Sequence, residues 1–446
     1  MKVHSRSVAR ARVGVIGAIV AVVAASVFVA APAQAATAST CPDPSGSVKI
    51  GMSYFGAVAG AYEEIGGDTE AAGPNPDQAV IDGYKAGIAA MNDAGGLNGC
   101  EVEPVFFNFS AQSADYNQTS QQECAAFTQD AKVVAVYAAA YETKVAVDCF
   151  AKAKTAFFQI GTNYPPSCTD QKTYAGFIYT PSSVYTCRFS SFVKMWDDAG
   201  LFPTDAKVGI LVMDDGSGQG PALADKVWTP ELKKLKIPVT TFKFTGAINS
   251  PSFSQVNATV ANAVLQFKAA GVNVVLFTPA GGQGPAAFMP QAKTQAFFPN
   301  YGLNSADNLA VAAGLGGESI KTGIAVSWAV TDLPLTQQQQ QPANSAAEGC
   351  AEWAPPSTIT IPGASPFCDF LNSLQAGFKG AKKMDAPTLY KGITGLGTSF
   401  VSSRTYDGAT KFAKGRTDGA TKAMMLEFDP TTKTFLPIDG KLLTIP

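Results

Sequence analysis

Strand-like apolar runs alternate with amphipathic helical stretches along most of this 446-residue chain, and that alternation constrains the fold more than any single motif. Residues 48–52 (Val-Lys-Ile-Gly-Met) read as a first strand. From Gln78 the apolar positions Val80, Ile81, Tyr84, Ile88 and Met91 recur at three- and four-residue spacing, the period of one helix face. Ala94-Gly95-Gly96 then supplies a helix stop. Residues 101–109 alternate, with apolar Val102, Val105, Phe107 and Phe109, and read as a second strand. The cycle returns at 133–138, 156–160, 208–213 and 272–277. Strands separated by helices need crossover connections, which make parallel sheets. The expected class is α/β, with two doubly wound, Rossmann-like sheets.

The first 35 residues read as a secretory signal. Lys2, Arg6, Arg10 and Arg12 precede an apolar run over 13–31, and Ala33-Gln34-Ala35 gives the small-x-small pattern of a cleavage site. The apolar run approaches spanning length, so a retained anchor is the competing reading. The polar 36–40 stretch favours cleavage after Ala35. Ala38 and Thr40 before Cys41 match a lipid-attachment pattern poorly, so lipid anchoring there is not expected. An extracytoplasmic, secreted chain is expected, with 411 residues for two domains. The signal holds four of the 33 basic residues and none of the 35 acidic ones, which leaves a net charge of −6. That balance, without a basic cluster, argues against a nucleic-acid partner.

All eight cysteines lie beyond the signal: Cys41, Cys100, Cys124, Cys149, Cys168, Cys187, Cys350 and Cys368. An even number in an exported chain reads as disulfides, with connectivity open on sequence alone. Neighbour pairing is the expectation: Cys41–Cys100, Cys124–Cys149, Cys168–Cys187 and Cys350–Cys368. The single histidine, His4, falls in the signal, so the exported part has none. Histidine is the commonest general base near neutrality and the commonest metal ligand. Its lack argues against triad or zinc chemistry, so neither enzyme activity nor metal nor cofactor is expected. Residues 335–368, rich in Gln and Pro, read as a surface excursion stapled by Cys350 and Cys368.

Two glycine-rich segments, 216–220 (Gly-Ser-Gly-Gln-Gly) and 281–284 (Gly-Gly-Gln-Gly), each follow a strand and precede a helical stretch. Neither has G-x-G-x-x-G spacing and no G-x-x-x-x-G-K-[ST] occurs, so both read as strand-to-helix turns beside a cleft rather than phosphate cradles. No G-x-S-x-G elbow is present either.

Residues 79–100, AVIDGYKAGIAAMNDAGGLNGC, resemble the first helix and turn of the branched-chain amino acid/amide group of type I periplasmic binding proteins. The run Met91-Asn92-Asp93-Ala94-Gly95-Gly96-Leu97-Asn98-Gly99 is its most specific part. Residues 207–244 are similar to the opening of that family's second lobe, and 260–281 to its next unit. The resemblance implies two α/β lobes joined by three crossovers, one lobe from 47–180 plus 332–415, the other from 181–331 plus 416–446. It implies a solute-binding protein that hands a small organic molecule to an ABC permease, with a sensing module of the same fold as the alternative and a secreted α/β enzyme behind both. A monomer is expected. Transferred by position, the ligand contacts are Tyr54 and Phe55 after the first strand, Tyr141, Glu142 and Thr143 after the third, and Thr162 and Asn163 after the fourth. The other lobe contributes Asp215, Gln219, Thr278, Gln283 and Asn304. Family members that bind amino acids meet the ammonium with carboxylates from the second lobe. Here the matching places hold residues 182–184 (Ser-Ser-Val) and Asn304 or Ser305, so a neutral, amide-bearing or partly apolar solute is expected.

Overall fold

The computed structural model describes residues 41–56, 76–110, 113, 115–138, 143–159, 172–214, 218–245, 250–279, 282–338 and 364–446. The signal segment 1–35 lies outside them. No helix among the described residues is long and apolar enough to cross a membrane.

The alternation read from sequence becomes two sheets. The first runs β2-β1-β3-β4-β5 and is wholly parallel: β1 Ser47–Gly56, β2 Glu101–Ser110, β3 Ala135–Ala138, β4 Ala156–Gln159, β5 Ile178–Tyr179. The second runs β12-β11-β10-β9-β8-β6-β7: β6 Val208–Met213, β7 Val239–Phe244, β8 Val274–Phe277, β9 Asn300–Asn304, β10 Gly323–Ser327, β11 Lys422–Asp429, β12 Thr434–Thr444. Its β11 and β12 pair antiparallel, so this sheet is mixed where the sequence suggested only parallel strands. A hairpin needs only a short turn, here residues 430–433, whereas a parallel pair needs a crossover.

Both faces of each sheet are covered, which is why β3, β4, β6 and β8 read as apolar runs without alternation. On one face of the first sheet, α1 (Pro76–Asp93) and α11 (Ala364–Phe378) enclose Val48, Ile50, Met52, Tyr137 and Phe158. On the other, α2 (Tyr116–Ala125) continues through a π-turn, Ala126–Asp130, that sets Phe127 on the strand. A Cβ on Gly51 would sit 2.9 Å from the Phe127 ring, so glycine makes this contact possible. The Cys124–Cys149 bridge fastens α2 to α3 (Lys144–Ala153), and Cys41–Cys100 ties the segment before β1 to the foot of β2. Both are expected pairs. Cys187 and Cys368 are also bridged, and their expected partners Cys168 and Cys350 lie outside the described residues.

The chain passes between the sheets three times: after β5, after β10, and on the way from α12 (Ala386–Leu396) into β11. These crossovers touch. Thr180 of the first pairs with Asp418 of the third, and Ala329 of the second pairs with Thr405 of the third. Asp418, fully buried, accepts from the Tyr185 amide at 3.3 Å and from Arg188 Nη2 at 2.9 Å, with a further contact to Arg188 Nε. A buried carboxylate needs such partners, because an isolated ion in the interior is very costly. Of the 335–368 stretch, 339–363 lies outside the described residues, 335–338 form one helical turn, and 364–368 open α11.

Candidate functional site

In each sheet one central strand has its next strand in sequence on one side and the following one on the other. These switch points are β1, between β2 and β3, and β6, between β7 and β8. Helices leaving on opposite faces open a crevice at the carboxyl ends of such strands. Both sheets also turn those ends toward the crossovers, since β5 runs straight into Thr180 and β10 into Ala329. The described residues expected at the site sit at these rims.

On the first sheet, Tyr54 and Phe55 occupy the last rows of β1 and are half-buried. The Tyr54 hydroxyl titrates above the ordinary tyrosine range, chiefly because of burial and secondly because of the Asp77 carboxylate. The Phe55 ring lies 6.3 Å from that of Phe109, its register partner on β2, tilted at 45° to it. Thr143 caps α3: its hydroxyl accepts from the Ala146 amide at 3.2 Å and donates to Ser120 of α2 at 2.7 Å. Its hydroxyl hydrogen is thus already used, leaving an oxygen lone pair and the backbone for a ligand.

The same rim holds a group that sequence reading missed. Ser53, Ala138 and Gln159 form one row across β1, β3 and β4, the row at which the latter two end. Glu123 of α2 lies buried beside Ser53, and burial raises its carboxyl to about 7. Among the described residues its Oε1 has no hydrogen-bond partner. The signal was present: Glu123 falls on the buried face of its helix, four residues before Phe127.

On the second sheet, Gln219 and Gln283 open the helices that follow β6 and β8, α5 (Gln219–Ala222) and α8 (Gln283–Thr294). They begin with the same five residues, Gly-Gln-Gly-Pro-Ala, at 218–222 and 282–286. The first glycine of each is left-handed, with φ of 73° at Gly218 and 92° at Gly282. That conformation favours glycine and lets the chain reverse directly from strand to helix. The second brings the helix hard against the strand end, since a Cβ on Gly220 would fall 1.9 Å from the Met213 carbonyl oxygen. Thr278 joins the two turns, its buried hydroxyl accepting from the Met213 amide at 2.9 Å. Both glutamines are more than nine-tenths buried.

Asn304, fully buried at the end of β9, caps the turn Ser305–Asp307. Its Oδ1 accepts from the Ala306 amide at 3.0 Å and its Nδ2 donates to Asp307 Oδ2 at 2.8 Å. Asp307 is sealed from solvent, and burial holds its carboxyl well above the carboxylate range, with the Asp332 charge adding to the shift. Asp307 and Asp332 are therefore acids close behind the Asn304–Ser305 position, neither of them singled out by sequence. Only the folded crossover brings Asp332 to Ser305.

Thus the structure groups Tyr54, Phe55 and Thr143 at one rim, and Gln219, Thr278, Gln283 and Asn304 at the other. Tyr141, Glu142, Thr162, Asn163 and Asp215 lie outside the described residues. Among the described residues no cluster of three or more potential metal ligands occurs.

The sequence matches no family model and no curated protein. Solved structures do match over nearly the whole chain. A fatty acid ABC transporter substrate-binding protein from Thermomonospora curvata has 14% identity and a TM-score of 0.59, over 90% of this chain and 95% of that one. A branched chain amino acid ABC transporter protein from Thermus thermophilus, with bound valine, has 14% identity and a TM-score of 0.62, over 89% and 96%. An ABC transporter substrate binding protein of Aeropyrum pernix has 10% identity and a TM-score of 0.65, over 90% and 96%. Two α/β lobes, three crossovers that touch, and this agreement in shape give the chain the type I periplasmic binding protein fold.

Proposed function

We propose that the chain is the extracytoplasmic solute-binding component of an ABC importer, taking one small organic molecule between its lobes and presenting it to a permease. The observation that carries this reading is the set of buried amide and hydroxyl side chains at the strand-end rims, Gln219, Thr278, Gln283 and Asn304 on one sheet and Thr143 on the other, beside the half-buried rings of Tyr54 and Phe55. A few fixed polar groups beside aromatic rings are what a small-molecule site requires. The proposed contacts further include Tyr141, Glu142, Thr162, Asn163 and Asp215. The absence of histidine from residues 5–446 supports binding over catalysis. Export with cleavage after Ala35 and action as a monomer complete the proposal.

The solute is neutral or amide-bearing. An α-ammonium would need a carboxylate open to the ligand; Asp307 is sealed from solvent with its Oδ2 bound to Asn304, and Asp332 accepts from two serine hydroxyls, so neither is offered as that partner. Glutamine side chains instead offer both a donor and an acceptor to an amide. Mass spectrometry of small molecules released from the natively purified protein, followed by calorimetric titration of the identified compound, tests the reading. Release of no compound, together with no heat from any titrated solute, would remove it.

A further inference from the structure

We propose that Asp332 is the positioning residue of the hinge: through Ser305 and Ser327 it fixes how the second crossover leaves the seven-stranded sheet and holds the Asn304–Asp307 turn against that crossover. This rests on the two-sheet fold alone and stands whichever solute binds.

A set of hydrogen bonds converges on one carboxylate oxygen. Asp332 Oδ2 accepts from Ser305 Oγ, just after β9, and from Ser327 Oγ at 2.7 Å, the last residue of β10. Ser327 Oγ also lies 2.8 Å from the Tyr406 hydroxyl of the third crossover and 3.1 Å from the Ala329 carbonyl. A serine has one hydrogen. The carboxylate, the shorter and charged acceptor, takes it, so Tyr406 is the donor to Ser327. Ser305 Oγ in turn accepts from the Trp328 amide at 2.9 Å. All the hydrogens point one way: Tyr406 to Ser327 to Asp332 on one side, Trp328 to Ser305 to Asp332 on the other. Charge-assisted bonds are roughly twice as strong as neutral ones, and donors in series polarise each other.

Each link belongs to a different segment. The backbone ties nearby are few, the Val330 amide to the Arg404 carbonyl at 2.9 Å and the Ala329–Thr405 bridge, and Arg404 Nε adds a side-chain bond to Thr331 Oγ1 at 3.3 Å. Side chains therefore carry much of the crossing. Asn304 shares its turn with Ser305, so a shift of that turn reaches the crossover through one carboxylate. A discrete hydrogen-bonded set of this kind can hold two alternative arrangements of packed lobes.

Hydrogen exchange and small-angle scattering on the exported chain, with no solute added, test the assignment. Asp332→Ala should speed exchange of the Trp328 amide at least tenfold and raise the radius of gyration, while amides of β1 and β6 keep wild-type protection. Asp332→Asn, which keeps an acceptor oxygen, should restore most of both. Ser305→Ala should expose the Trp328 amide alone, and Tyr406→Phe should loosen peptides of the third crossover. Wild-type exchange and radius in Asp332→Ala would overturn the proposal, as would a uniform rise across both sheets. Should Asp332→Ala fail to fold, the two single-bond variants decide it, since neither showing a local change would also overturn it. No titrated ligand enters these measurements, so their outcome is separate from that of the binding reading.

Discussion

Replacing Gly220 with alanine tests how closely the site's second rim is built. The added Cβ would stand 1.9 Å from the Met213 carbonyl oxygen, a backbone atom that cannot swing aside, and 3.1 Å from Thr278 Oγ1. A carbon and a carbonyl oxygen approach to about 3.3 Å. The helix start must therefore retreat by roughly 1.4 Å, stretching the 2.9 Å bond from Met213 to Thr278. Overpacking costs about 1–3 kcal/mol and the loosened buried hydrogen bond about 1 more. At ~2.1 cal/mol/K per residue, a chain of roughly 400 residues loses about 2–5 °C in Tm for that sum. Gly176→Ala is the control, because a Cβ there meets nothing within 4 Å. It should leave Tm unchanged or slightly raised, since alanine limits the unfolded chain. Scanning calorimetry reads both variants. A Gly220→Ala protein melting with wild type would show that the turn has slack and that the close approach does not constrain it.

The remaining expectations concern stability and specificity. Cys124→Ser with Cys149→Ser opens a loop of 25 residues and should cost about 3.5 kcal/mol in urea unfolding, with an unchanged midpoint counting against the chain-entropy account. Arg188→Ala takes the nearer guanidinium from the buried Asp418 charge, with that of Arg416 standing at 3.7 Å, and should cost about 3–5 kcal/mol; Arg188→Met with Asp418→Asn should cost less than the single change. Asp369, buried in α11 and bonded to Ser402 at 2.5 Å and to the Ser403 amide at 2.6 Å, has its carboxyl raised to about 6, chiefly by burial. The folded state thus holds this proton more tightly than the unfolded chain, so its stabilisation is complete below about pH 4 and is lost as pH rises through 6. Urea midpoints of wild type should therefore fall over that window more steeply than those of Asp369→Asn, and parallel profiles would refute the assignment. Calorimetric titration with leucine, valine, isoleucine and glutamate should show no micromolar binding; such binding, abolished by Asp332→Ala or Asp307→Ala, would overturn the neutral-solute reading.

The sequence by itself determined the periodicities and the turns. Gln78 to Met91 carries its apolar residues on one face, and the structure has a helix there, Pro76–Asp93. Residues 208–213, apolar throughout, form β6 with every residue buried. The Ala94-Gly95-Gly96 stop works because both glycines take positive φ. These signals are local, depending on side-chain period and backbone sterics within a few residues. Short or atypical strands were not legible: β5 has two residues, and β9 reads Asn-Tyr-Gly-Leu-Asn, a pattern that only packing between neighbouring strands makes extended. The site divided in the same way. Thr278, Gln283 and Asn304 could be placed only through the resemblance to a known family, whose ligand lies at strand ends, where crevices form. Whether a side chain there is free or committed could not. Thr143 is spoken for by Ser120, Asn304 by Asp307, and Asp332 reaches Ser305 and Ser327 reaches Tyr406 across 27 and 79 positions of sequence. Those pairings, and the raised carboxyls of Glu123, Asp307 and Asp369, arise from burial that a linear pattern does not specify. Only the tertiary structure decided them, because dielectric and hydrogen-bond partners belong to the packed neighbourhood and not to the residue.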